Sequence, residues 1–183
     1  MTAAERLPVA IDAMGGDRAP AEIVAGAIRA RDELGVPVVL VGRPDEVGDT
    51  DGIEVLPASE VIAMDADPGR SVRTMKDSSL VRAAEAVRDG KACAMVSAGN
   101  TGATMGAALL RMKRLGGVGR PAIATPIPNP GSDNPTVLLD AGANAECTPE
   151  WLVQFAQMGA TYARHRYGIE APRVGLLSIG EEP

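Results

Sequence analysis

Four apolar runs in this chain end in the same way. IDAMGGD, VSAGNTGA, LLDAGAN and LLSIGEEP each leave Val, Ile, Leu, Ala or Met and pass at once into glycine and short polar residues. Stretches with helical periodicity lie between them. Short apolar runs alternating with helices predict an α/β fold: three α/β/α layers around a mostly parallel sheet. In such a sheet ligands bind outside the carboxyl ends of the strands. The four exits are therefore expected on one edge of one sheet.

The pattern predicts strands at Leu7–Asp12, Val36–Gly42, Ile53–Ala58, Ala92–Gly99 and Arg173–Gly180. Two further short runs rich in β-branched residues, 121–128 and 135–142, are split by the turn NPGSDN. Pro20 opens a helix that runs to about Leu34. Asp77–Gly90 reads as a helix with an Asp or Ser cap and a glycine stop, and 101–117 as the next. Glu60–Ser71 reads as loop. The clearest helix is TPEWLVQFAQMGATYARHRYG, with Thr148 as cap, Pro149 at its first position and Glu150 in its first turn. Its apolar face is expected to carry Trp151, Phe155, Met158 and Tyr162.

Composition narrows the function. The net charge is −6 and aromatic residues make up 2% of the chain, so neither a phosphate-backbone grip nor a base-stacking platform is expected, and nucleic acid is excluded as a partner. Small anions are not excluded, because local N–H groups can outweigh global charge. The two cysteines, Cys93 and Cys147, form no CxxC pair and read as free thiols in a reducing compartment. Cys147 just ahead of a helix suggests either an activated nucleophile or, more commonly, a small buried thiol. The lone His165 reads as surface chemistry at a helix end. No run is long enough for a signal peptide core or a membrane span.

SAGNTGA suits an anion. Gly99 and Gly102 permit close approach, Asn100 and Thr101 can cap and donate, and Ser97 adds a hydroxyl. An ordinary strand-to-helix turn would use the same residues. After the first run, Gly15 and Gly16 allow a sharp turn flanked by Asp12 and Asp17, read either as turn chemistry or as carboxylates that orient a substrate group. Cations are offered by Arg73 and Lys76, followed by Ser78 and Ser79. These could converge on one anion or form a solvated turn.

Together these motifs resemble the bacterial phosphate acyltransferase family, which makes acyl phosphate from acyl-carrier protein and inorganic phosphate. DAMGGD, KDSS, VSAGNTGA, GRPAIA, DAGAN and RVGLLSIGEEP stand in the family's order and approximate spacing. The resemblance implies catalytic roles for Asp12, Asp17, Lys76 and Asn100. It implies phosphate or substrate contacts for Gly15, Gly16, Arg73, Ser78, Ser79, Ser97, Gly99, Thr101, Gly102, Asp140 and Asn144. Two departures stand out: Arg18 occupies a usual histidine position, and Glu146 a common aspartate position.

The resemblance further implies an architecture like that of isocitrate and isopropylmalate dehydrogenases. It implies no metal or other cofactor, a homodimer, and a cytoplasmic enzyme with peripheral membrane contact through the portion that follows. Family members continue well past EEP, so residues 1–183 are expected to form the N-terminal portion, a half or slightly more, of one catalytic unit. Acyl-carrier protein is acidic, so Arg111, Lys113 and Arg114, or Arg164 and Arg166, are candidate docking clusters. Two other readings stay open: a metal-dependent NAD(P) dehydrogenase of related fold, and a non-catalytic fragment.

Overall fold

The computed structural model describes residues 6–178. The chain divides into two compact units at Lys113/Arg114. The first unit carries a four-stranded sheet in the order β3-β2-β1-β4, from β1 (Val9–Asp12), β2 (Val38–Gly42), β3 (Val55–Pro57) and β4 (Ala94–Val96). Every pairing is parallel.

Alternation along the strands sorts side chains to two faces. Ala10, Val39 and Val41 turn to one face and meet Ala83 and Ala86 of α4 (Ser79–Arg88). Leu40 turns to the other and meets Val24 and Ala27 of α1 (Ala21–Leu34) with Val47 of the short α2 (Pro44–Val47). The three-layer arrangement expected from the sequence is thus present in this unit. With almost no aromatics, its layers close on Ala and Val, and small residues let helices lie near the sheet.

The helix boundaries follow from their caps. Gly35 ends α1 in the left-handed conformation, φ +62°, with its N–H donating to the Ala30 and Arg31 carbonyls. Ser78 caps α4 by accepting from the Val81 N–H. The stretch Glu60–Ser71, expected as loop, in fact enters α3 (Pro68–Thr74): Asp67 accepts from the Arg70 N–H and Pro68 takes the first position. Val72 of α3 then packs with Leu80, Val81, Ala103 and Ala107. The helix expected over 101–117 is shorter. Regular turns span α5 (Thr101–Ala107), a wider π turn covers Ala108–Met112, and helical structure stops before the glycine pair 116–117.

The second unit corrects the expectation of four exits on one edge. Runs 121–128 and 135–142 form an antiparallel pair, β5 (Thr125–Ile127) with β6 (Thr136–Leu138), in a separate sheet. NPGSDN is long enough for a reversal but too short for the crossover that parallel strands need. α6 (Pro149–Tyr167) begins and ends as expected, with the Thr148 hydroxyl accepting from the Trp151 N–H and Gly168 closing it at φ +67°. Its buried ridge runs through Phe155 and Ala163, with Gly159 facing Leu139. Tyr162, expected on that face, is instead exposed and meets Tyr167 edge-on. The strand expected at Arg173–Gly180 is not formed over its described part, 173–178, which pairs with no strand among the described residues. Leu176 and Leu177 are 80% and 74% exposed there. Ile179 and Gly180 lie outside the described residues.

Candidate functional site at the β1 and β4 exits

From β1 the chain builds outward through β2 to β3, then returns to place β4 on the opposite side of β1. The order reverses at β1, and such a switch point leaves a crevice outside the strand ends. The two exits IDAMGGD and VSAGNTGA open there side by side.

They are joined by the Asp12 carboxylate. Ser97 Oγ donates to Asp12 Oδ2 at 2.7 Å and accepts from the Gly99 N–H at 3.0 Å. The Met14 N–H donates to Asp12 Oδ1 at 3.2 Å. Asp12 is only 3% exposed. Glycine is needed at this junction for space. A Cβ on Gly15 would stand 2.5 Å from Asp12 Oδ2, 2.8 Å from Ser97 Oγ and 3.0 Å from the Gly99 nitrogen. A Cβ on Gly99 would stand 3.1 Å from Gly15 Cα. At Gly16 the backbone itself requires glycine, with φ at +119°.

Asn100 is buried and fully engaged. Its Oδ1 accepts from the Ala103 N–H at 3.0 Å and caps α5. Its Nδ2 donates to the carbonyls of Met64 and Ala66, both at 3.0 Å, and to that of Ala63 at 3.3 Å. The segment after β3 is thereby tied to the β4 exit. Gly102 serves the same junction: a Cβ there would stand 2.7 Å from Pro68 Cγ, so glycine lets α3 pack on α5. Thr101 is exposed at the head of α5.

The KDSS segment lies beside the exit of β3, where Glu60 bridges to Ser78. Ser78 and Ser79 are buried. The Ser78 hydroxyl donates to the Met75 carbonyl at 2.9 Å while capping α4, and the Ser79 N–H donates to the Glu60 carbonyl at 3.0 Å. Lys76 is exposed and makes no ion pair among the described residues. Arg73, also exposed, donates to the Gly69 carbonyl one turn back in its own helix. Asp17 and Arg18 are exposed on the turn after β1.

Asp140 and Asn144 belong to the second unit and form a clasp of their own. Asp140 Oδ1 accepts from the Ile123 N–H at 2.8 Å; Oδ2 accepts from the Asn144 N–H at 2.7 Å and from Asn144 Nδ2 at 3.0 Å. Asn144 Nδ2 also donates to the Pro121 carbonyl at 2.9 Å. Burial alone would raise the Asp140 pKa, but the Ile123, Asn144 and Ala143 donors outweigh it and hold the carboxyl below its ordinary value. A depressed folded pKa stabilises above the unfolded value of about 3.9, and that contribution is lost as pH falls through the folded value. Asp140→Asn is therefore expected to cost about 1–3 kcal/mol at neutral pH. Thermal melts should show the gap from the parent protein closing below pH 4, and a gap unchanged in acid would contradict this account.

Both thiols are free, and both are exposed, so the buried setting expected for Cys147 is not found. The chain presents Cys147 in the polar approach to Thr148, away from an apolar run. The basic clusters are largely occupied. Arg111 pairs with Glu85 at 3.4 Å, and Arg114 donates to the Gly119 carbonyl. Arg164 donates to the Glu170 carbonyl at 3.2 Å, and the Arg166 guanidinium lies 5.5 Å from the Tyr167 ring centre. Among the described residues no three His, Cys, Asp or Glu side chains gather as metal ligands, so the dehydrogenase reading gains no support there. No helix among them is long and apolar enough to cross a membrane.

A family model described as "Fatty acid synthesis protein" matches residues 7–183. The chain belongs to this family. The phosphate acyltransferase of Nostoc punctiforme is 48% identical, over 97% of this chain and 54% of its own length. That of Heliobacterium modesticaldum is 50% identical, over 95% and 54%. The Leptospira biflexa phosphate acyltransferase is 49% identical, over 95% and 53%. The resemblance carried by DAMGGD, KDSS and VSAGNTGA is thus borne out along nearly the whole chain, which spans about half the length of the curated relatives it matches.

Proposed function

We propose that this family member serves acyl transfer from acyl-carrier protein to inorganic phosphate, with residues 1–183 supplying the N-terminal portion of one catalytic unit. The reading is carried by the meeting of the two glycine exits at the switch point, in a chain whose relatives are named phosphate acyltransferases. A phosphate oxygen attacks the thioester carbonyl, the tetrahedral oxyanion collapses, and the pantetheine sulfur leaves. Phosphate is an adequate nucleophile once desolvated and oriented, so the protein's task is positioning and stabilising charge.

In this reading the exposed Lys76 supplies the cation for phosphate, with Arg73 as a second. The glycine turns 15–16 and 99–102 allow the anion to approach the backbone beside the Thr101 hydroxyl, while Ser97 shapes the turn through its bonds to Asp12 and Gly99. Asp12 acts from below, holding the turns together; Asn100 orders the wall, and Asp17 faces solvent at the rim. Ser78 and Ser79 set the start of α4. Asp140 and Asn144 contribute through the loop they shape. The wider reading includes the dehydrogenase-like architecture, a homodimer, a cytoplasmic setting and peripheral membrane contact.

The test is acyl phosphate formation by the protein at its relatives' full length, with acyl-carrier thioester and inorganic phosphate as substrates. Lys76→Ala is expected to raise KM for phosphate by about tenfold or more, as for loss of a hydrogen bond to a charged group. Full activity with unchanged phosphate KM would remove Lys76 from the site.

A further inference from the structure

The segment between β3 and α4 crosses the carboxyl edge of the sheet twice. It leaves β3 at Ala58–Glu60, reaches Asn100 with the carbonyls of 63, 64 and 66, and packs Pro68 on Gly102. It then returns to β3, and the return is closed by a cluster that involves no residue assigned above to substrate. Asp77 Oδ2 accepts from Ser59 Oγ at 2.6 Å and from the Ser59 N–H at 3.0 Å. The Asp77 N–H donates to Glu60 Oε2 at 3.0 Å, and the Asp77 carbonyl accepts from the N–H groups of Ser59 and Glu60. Arg82 Nε stands 3.5 Å from Asp77 Oδ1.

Ser78 and Ser79 anchor the start of α4 through bonds of their own. What the Asp77 side chain adds is a fixed backbone at the residue directly after Lys76, whose own side chain has no ion pair among the described residues. A long lysine on a loose turn loses rotamer and backbone freedom when it meets an anion, and a turn fixed in advance removes part of that cost.

We propose that Asp77, gripped by Ser59 and Glu60, is a positioning residue that presents Lys76 to phosphate at the carboxyl edge of the sheet. The proposal rests on the functional reading above. The Ser59 hydroxyl, outweighing the small effect of burial, holds the Asp77 carboxyl below its ordinary range, so the clasp is charged at neutral pH.

A double-mutant cycle on the full-length enzyme tests this, with inorganic phosphate and acyl-carrier thioester as probes. Asp77→Ala is expected to raise KM for phosphate by up to about tenfold, as for the ordering cost of one long side chain, and to leave KM for the thioester unchanged. Asp77→Asn, which keeps one acceptor, should recover part of the loss. In a Lys76→Ala background, Asp77→Ala should add nothing further, because both act through one contact. Additive losses, or an unchanged phosphate KM in Asp77→Ala, would overturn the proposal. If Asp77→Ala fails to fold, Ser59→Ala and Glu60→Gln take its place in the cycle, with the same expected rise and the same grounds for rejection. Wild-type phosphate kinetics in Lys76→Ala alone would remove Lys76 from the site and the proposal with it, whereas no acyl phosphate formation by the parent enzyme would mark failure of the functional reading itself.

Discussion

Gly15→Ala is expected to be the most damaging single methyl group in the first unit. The added carbon would meet the Asp12 carboxylate, the Ser97 hydroxyl and the Gly99 backbone nitrogen, all within 3.0 Å. Gly99 contributes backbone, and the short Asp12 and Ser97 side chains are hydrogen-bonded to each other and to backbone N–H groups, so the two strand exits must move apart. Overpacking of this kind costs about 1–3 kcal/mol. The functional loss should be larger than the stability loss, because displacement of a positioned group by about 1 Å can cost about a hundredfold in rate. Thermal unfolding and acyl phosphate formation, measured together, check both. A variant with parental melting and turnover would show that the exits are not held in the arrangement described. Gly26→Ala is the matched control, since a Cβ on that glycine of α1 meets nothing within 4 Å.

Asn100→Ala is expected to lower stability more than a cap alone would. Loss of a helix cap costs about 1 kcal/mol. Here the same side chain also donates to carbonyls of the segment after β3, and buried acceptors left without donors add about 1–3 kcal/mol. Asn100→Asp separates the two parts. It keeps the acceptor for the Ala103 N–H but turns an anionic oxygen toward the Met64 and Ala66 carbonyls, so it should melt no higher than Asn100→Ala despite the intact cap. If the aspartate variant melted like the parent protein, the donor contacts would carry no weight.

The first unit was legible because its alternation of apolar runs and capped helices is strong and local. Ser78, Asn100, Thr148 and Gly35 mark ends that depend on a few neighbouring residues. α3 is not legible although Asp67-Pro68 is a good helix start, because Gly69 and the surrounding polar residues read equally as a turn. Only Val72 packing on α5 decides the matter. The antiparallel pair was written in the shortness of NPGSDN, a signal outweighed by the similarity of LLDAGAN to the other exits. At the candidate site, the residue types were right but several reasons differed. Gly102 is small because Pro68 lies against it. Asn100 faces carbonyls, and the Ser78 hydroxyl is committed to its helix. The contacts of Gly102 and Asn100 join residues tens of positions apart, and a sequence read locally contains no trace of them. The Asp77 clasp is hidden for the same reason, its partner Ser59 standing at the exit of β3 while Asp77 precedes α4.

The bond between Asp12 and Ser97 spans 85 positions along the chain. Long closures of this kind form slowly, because chain entropy must be lost before the contact stabilises anything. During synthesis, β1 and β2 can pair around α1 while β4 is still inside the ribosome. The switch-point crevice cannot exist until β4 docks on the far side of β1, so a nascent chain can hold a native-like β1–β2 half with no binding capacity at all. Pulse-labelled hydrogen exchange on refolding should accordingly protect the amides of Val39 to Val41 before that of Gly99. The order of assembly would then delay the crevice until the first unit is nearly whole.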